Sequence, residues 1–210
     1  DPAYVTTGTS GQVLTSGGTG VAPTFQTAAG GGLIKILTTS ISSGTTTVNV
    51  DSVFSATYKK YAIILTNVTP TTNTVHLRLT YNNSSGTEIT TNSYISLMAG
   101  GEVRSGSSSF TQGSTAWGGA YHELTGAGGS VGNSSTYGGY NSEITVFDPY
   151  NTIKTHNRGS YSFRRADGVT YHAGYASSML DTDTSVRGFR LNWASGNFQS
   201  GYVTVYGMVE

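Results

Sequence analysis

Between Tyr61 and Val68 the chain runs through a nearly continuous apolar stretch, YAIILTNV. A run of this length reads as a strand buried on both faces. From Val75 to Tyr81 the pattern changes to strict alternation. Val75, Leu77, Leu79 and Tyr81 share one face, and His76, Arg78 and Thr80 share the other. That period of two predicts a half-buried strand. Shorter runs with strand character are Leu33–Thr39, Thr46–Val50, Tyr94–Met98, Ser142–Phe147, Tyr161–Arg165, Val169–Tyr175, Val186–Trp193 and Tyr202–Val209. Ala116–Leu124 carries enough bulk for a further strand inside a long Gly/Ser-rich region, 99–139, read otherwise as loop. Asp51–Tyr58, opened by Asp51-Ser52, predicts a single helical turn, and YNNSSGTE a turn. About ten short strands separated by turn signals predict an antiparallel β-sandwich, jelly-roll-like.

Residues 1–32 follow no such pattern. GTSGQVLTSGGTGVAPTFQ (8–26) contains only four large apolar residues, Val13, Leu14, Val21 and Phe25, and reads as a neck or linker. The sandwich domain is expected over residues 33–210. In the homotrimer that this chain's resemblance to a known family implies, three copies of the neck would wind together and bury those four residues against one another. A chain alone would lose about 1–2 kcal/mol of backbone entropy per ordered residue with little burial in return. A flexible tether is the alternative.

Composition sharpens the class. Glycine (29), serine (27) and threonine (33) make up two residues in five, yet 14 Tyr, 7 Phe and 2 Trp supply burial capacity, which argues against disorder. Thr, Tyr and Val favour strands. Eleven acidic and eleven basic residues cancel, and the tight basic groups are only Lys59-Lys60 and Arg164-Arg165, read as solvated faces. No nucleic-acid partner is expected, because phosphate binding needs clustered cations. The absence of cysteine excludes disulfides and thiolate chemistry. No apolar run approaches the ~18 residues of a membrane span, and no signal-like segment opens the chain. A start at Asp1 rather than Met suggests a processed or trimmed chain.

Four segments resemble a known family. VFSATYKKYAIILTNVTPTTNTVHLRLTYNN is similar to the part of phage tail-fibre and virion structural proteins where a Tyr-Lys pair precedes a strand, followed by a spacer and a V-x-L-R-x strand ending in Asn. SEITVFDPYNTIKTHN resembles that family's I-x-I-x-D-Y-x-N-T-x-K-x-K-T strand. SGNFQSGYVTVYGMVE resembles its ending, a last strand closing on YG after an SGNF turn, and GTSGQVLTSGG resembles the linker before its terminal domains. The resemblance implies a homotrimeric tail-fibre module on a phage particle, exposed to the extracellular medium, contacting other tail proteins and a host receptor. Head fibre, capsid decoration and polysaccharide depolymerase are the alternatives.

Little in the sequence points to catalysis. His76, His122, His156 and His172 lack metal-ligand spacing, and no G-x-S-x-G elbow is present. His76 and His172 are expected to face solvent. Asp181 and Asp183 in MLDTDTS point the same way if extended, as a glycosidase or calcium site would need, but read equally as a turn. No enzyme, cofactor or metal is expected. For recognition, the region 100–139 places Arg104, Phe110, Trp117, Tyr121, His122, Tyr137 and Tyr140 among glycines and serines. Long loops on a rigid sandwich commonly carry function, and aromatics in a Gly/Ser background suit sugar binding. The expected glycan site is therefore Arg104, Trp117, Tyr121, His122, Tyr137 and Tyr140, with Phe110 as an anchor. Packing of Trp117 and Tyr121 in the core or trimer interface is the competing reading.

Overall fold

The computed structural model describes residues 7–27, 32–91, 93–126 and 129–209, with backbone alone for 111–117. The chain divides into two units, 1–32 and 33–210.

In the first unit, β1 (Gln12–Thr15) and β2 (Thr24–Thr27) form an antiparallel hairpin, where the sequence pattern suggested only linker. Leu14 lies opposite Phe25 and Val13 opposite Gln26. Val13, Leu14, Val21 and Phe25 all remain exposed.

The second unit is all-β and contains no α-helix among the described residues. Its strands are β3 (Leu33–Ile41), β4 (Thr47–Val50), β5 (Lys60–Pro70), β6 (Leu77–Asn83), β7 (Tyr94–Arg104), β8 (Ser107–Gly119), β9 (His122–Glu123), β10 (Tyr140–Phe147), β11 (Ile153–Arg164), β12 (Tyr171–Thr184), β13 (Val186–Trp193) and β14 (Phe198–Met208). One antiparallel sheet has eight strands in the order β3-β14-β5-β10-β11-β12-β7-β8, and a second has four, β4-β13-β6-β9. Their buried faces supply one core, the arrangement of a β-sandwich.

The core follows from alternation. The large sheet turns in Tyr61, Ile63, Leu65, Ile144, Val146, Val203 and Val205, and the small sheet Val48, Val50, Leu77, Leu79, Tyr81, Phe189, Leu191 and Trp193. Each fully buried aliphatic or aromatic side chain contributes about 1.5–3 kcal/mol. Residues 51–58 form turns rather than a helical turn, because Val53 and Phe54 are drawn into the core. The Phe54 ring packs edge-on against Tyr61 at 4.8 Å.

Part of the core is polar. Thr155, Asn157, Ser178 and His172 are buried on β11 and β12, and Asn157 Nδ2 donates to the Tyr81 hydroxyl at 2.8 Å. These inward polar residues hide the alternation, so both strands run much further than their apolar residues indicate. The region expected to be a long loop likewise begins as the β7–β8 hairpin, with Gly101 opposite Phe110 and Arg104 opposite Ser107.

Candidate functional site on the outer face of the large sheet

Register lines up the outward residues of four adjacent strands. Glu143 on β10 pairs with Ser160 on β11, Ser160 with Tyr175 on β12, and Tyr175 with Ala99 on β7. One row along, Thr145, Arg158, Ser177 and Leu97 pair in the same sequence. On the other side, Ser162, Ala173, Gly101 and Phe110 continue the pattern out to β8. Partners across an antiparallel ladder share a face, so these rows form one surface.

The rows are uneven in height, and that shapes the surface. Ser160, Ala99, Ala173, Gly101 and Ser162 are short. Tyr175 (74% exposed), Phe110 (73%), Leu97 and Tyr171 are large and stand in solvent. The result is a groove made of two adjoining depressions of about 510 and 810 Å³, which share Ala99, Glu143, Ser160 and Tyr175. A cluster of exposed aromatics around a groove of this size makes it the candidate binding surface.

Its electrostatics are sparse. Among the described residues, Glu143 is the single charged one lining the larger depression, and Arg158 joins it in the smaller one. Glu143 forms no ion pair among the described residues, whereas the Arg158 guanidinium lies over the Phe147 ring, 5.4 Å from its centre. Hydroxyls of Ser160, Ser177 and Thr145 add to the polar lining of the smaller depression, and Thr66, Asn141 and Ser162 to that of the larger.

The six loop residues expected to bind sugar are not brought together. Tyr140 is a core residue, its hydroxyl donating to the Leu124 carbonyl at 2.8 Å and its ring stacked on Tyr161. His122 is equally buried, with Nδ1 2.9 Å from Ser96 Oγ, and burial pushes its imidazole down to about 3. Neither can reach a ligand, because each is an inward residue of a strand. Tyr121 is half-buried beneath the Arg78 guanidinium, 4.0 Å from its ring centre. Tyr137 sits on a 3-10 turn (Ser135–Tyr137) and borders an adjoining cavity of about 360 Å³ that shares Asn141, Ser162 and Tyr171 with the larger depression. Arg104 is exposed at the end of β7 but lines neither depression. Trp117 lies in β8, and its side chain falls outside the described residues. Among the described side chains of that region, the expected anchor Phe110 lines the groove.

Other expectations are also corrected. His172 does not face solvent: it is buried and stacked on Phe163 at 5.1 Å and on Tyr161 at 5.8 Å, and burial lowers its pKa. His76 is half-buried, its Nδ1 2.9 Å from Thr125 Oγ1. Asp181 is taken by an ion pair with Lys154, and no cluster of metal-binding side chains occurs among the described residues. Lys59 and Arg164 are exposed, as expected of solvated faces, and Arg165 pairs with Glu102 at 2.7 Å and Lys59 with Asp148 at 3.2 Å at the surface.

Tyr175, Tyr171, Leu97 and Glu143 were missed by sequence reasoning. The available signal was the sequence YHAGYASS, where aromatics alternate with small residues. No family model, curated protein or solved structure matches the chain.

Proposed function

We propose that this chain is the β-sandwich module of a phage tail fibre, that it acts as a homotrimer, and that it attaches the particle to glycans on the host cell surface. The observation that carries the attachment role is the groove on the large sheet, with Tyr175 and Phe110 standing exposed beside it. A soluble domain seldom leaves several large aromatics clustered in water without a partner for them. The reading is one of binding rather than cleavage. Glycoside hydrolysis ordinarily uses two facing carboxylates, and the two depressions have Glu143 alone.

Association of three copies is favoured by β3, the edge strand that follows the neck. Leu33, Ile34 and Ile36 are all exposed, so both faces of the edge present apolar residues. An unprotected apolar edge is a place where further chain packs. The neck hairpin, too small to be stable alone, bears the exposed Val13, Leu14, Val21 and Phe25 and would gain its burial from two identical neighbours.

Immunogold labelling of particles with antibody to residues 33–210, together with competition of adsorption by excess free protein, tests the reading. Label at the fibre tips and blocked adsorption are expected. Label on the head with undiminished adsorption would replace it with a head-fibre or decoration role.

A further inference from the structure

Building on the attachment reading, we propose that the groove across β10, β11, β12 and β7 is the sugar site, and that it takes a short oligosaccharide of neutral hexose units laid across the strands. Three features select that ligand.

The first is shape. A protein partner needs a broad patch, about 800 Å² on each side, whereas depressions of about 510 and 810 Å³ fall in the range of small-ligand sites. They adjoin at Tyr175 rather than forming one pit, which suits a chain of similar units better than a single compact molecule. From β10 to β7 are three inter-strand spacings, about 14 Å.

The second is the aromatic surface. Tyr175, at the junction, leaves its ring in solvent, and Phe110 and Tyr171 stand at the far end of the larger depression. The C–H face of a pyranose packs on such rings, while Ala99, Ala173 and Gly101 between them leave room for the sugar to lie against the sheet.

The third is charge. The larger depression has one charged side chain, the carboxylate of Glu143, with no cation paired to it among the described residues. A carboxylate accepts hydrogen bonds from vicinal hydroxyls, and hydrogen bonds to charged groups are the stronger kind. Within the larger depression this carboxylate disfavours uronic and sialic acids, since no cation lines it among the described residues; Arg158, in the smaller one, is held over the Phe147 ring. Ser160, at the junction, offers a hydroxyl that both donates and accepts.

The test is affinity electrophoresis of the whole chain through native gels cast with dextran, mannan, galactan or alginate. At least one neutral polymer is expected to retard the protein, and the acidic alginate is not. Tyr175→Ala and Glu143→Gln should each weaken retardation by about tenfold, the loss of one charge-assisted contact or one stacking ring. Tyr150→Ala, exposed on the β10–β11 turn outside both depressions, should leave it unchanged. Because Glu143 and Tyr175 are both exposed, far-ultraviolet circular dichroism of the variants should match the parent. The proposal is overturned if no neutral polymer retards the chain, if alginate is preferred, or if both variants run like the parent. It is also overturned if Tyr175→Ala changes the mass in solution, since a neighbouring copy would then cover the groove. Groove-dependent sugar binding by a protein located on heads would uphold this proposal and remove the tail-fibre reading. A labelled fibre tip whose variants bind like the parent would do the reverse.

Discussion

Tyr140 tests the division between core and surface most directly, because composition placed it in a binding loop and the fold places it inside. Tyr140→Phe keeps the ring that stacks on Tyr161 at 6.2 Å and tilts against Phe163 at 5.9 Å. It removes one O–H, the donor to the Leu124 carbonyl at 2.8 Å. A buried carbonyl stripped of its partner costs about 1–2 kcal/mol. For a domain of this size each kcal/mol moves Tm by about 2–4 °C, so Tyr140→Phe should melt about 2–8 °C below the parent. Tyr140→Ala also opens a cavity where the ring was, a loss of about 3–5 kcal/mol, and should melt further down still. Differential scanning calorimetry gives both values, and affinity electrophoresis of the folded Tyr140→Phe chain should show undiminished sugar retention. A variant with unchanged Tm and lost retention would put the Tyr140 hydroxyl in contact with ligand, and the core assignment would fail.

Three further outcomes follow from the same packing. His122, held down to about 3 by burial, stays neutral in the fold while the unfolded chain takes up its proton below about 6.5. Stability is therefore fully present above pH 6.5 and is lost as pH falls toward 3; urea midpoints at pH 7 and pH 5 should drop less in His122→Gln than in the parent. At Gly174 an added Cβ would stand 2.3 Å from the Ala99 carbonyl oxygen and 2.7 Å from the Tyr161 hydroxyl. Gly174→Ala should thus cost about 1–3 kcal/mol by overpacking, visible as a lowered Tm, and an unchanged Tm would contradict that close approach. Joint replacement of Leu33, Ile34 and Ile36 by Ser should reduce the mass measured by light scattering from that of three chains toward that of one. Retention of the larger mass would exclude the β3 edge from the trimer contact.

The antiparallel sandwich was legible in the sequence because its central strands are coded by apolar residues. β5 and β6 fall close to where Tyr61–Val68 and Val75–Tyr81 predicted them. What escaped detection was coded otherwise. β11 begins at Ile153, eight residues before its first inward aromatic, because Thr155 and Asn157 occupy the inward positions. The β7–β8 hairpin is rich in glycine and serine around its turn, where backbones pair as elsewhere but side chains give no periodic signal. A glycine-rich stretch thus suggested loop, and the aromatics within it suggested a ligand site.

The groove was illegible for a related reason: whether a tyrosine faces core or solvent depends on what the neighbouring strand contributes beneath it. On β11 the inward residues near one end are Tyr161 and Phe163. Their rings extend under β12, where Tyr161 and Phe163 both stack on His172 and the Tyr161 hydroxyl crowds Gly174 and Gly100. The space inside is already taken, so β12 can afford only small residues at Gly174, Ala176 and Ser178 on its inner side. Tyr171 and Tyr175 are left on the outer side, while His172 and Leu180 take inner positions to either side of that small stretch, so the strand carries large residues on both faces. Burial does not account for aromatics at those outward positions, where each leaves apolar area in water, although a cross-strand aromatic pair contributes about 0.2–1 kcal/mol. The exposed Tyr171 and Tyr175 are what the proposed sugar site would require, with the row that pairs Glu143 with Ser160 and Ser160 with Tyr175 as its contact line.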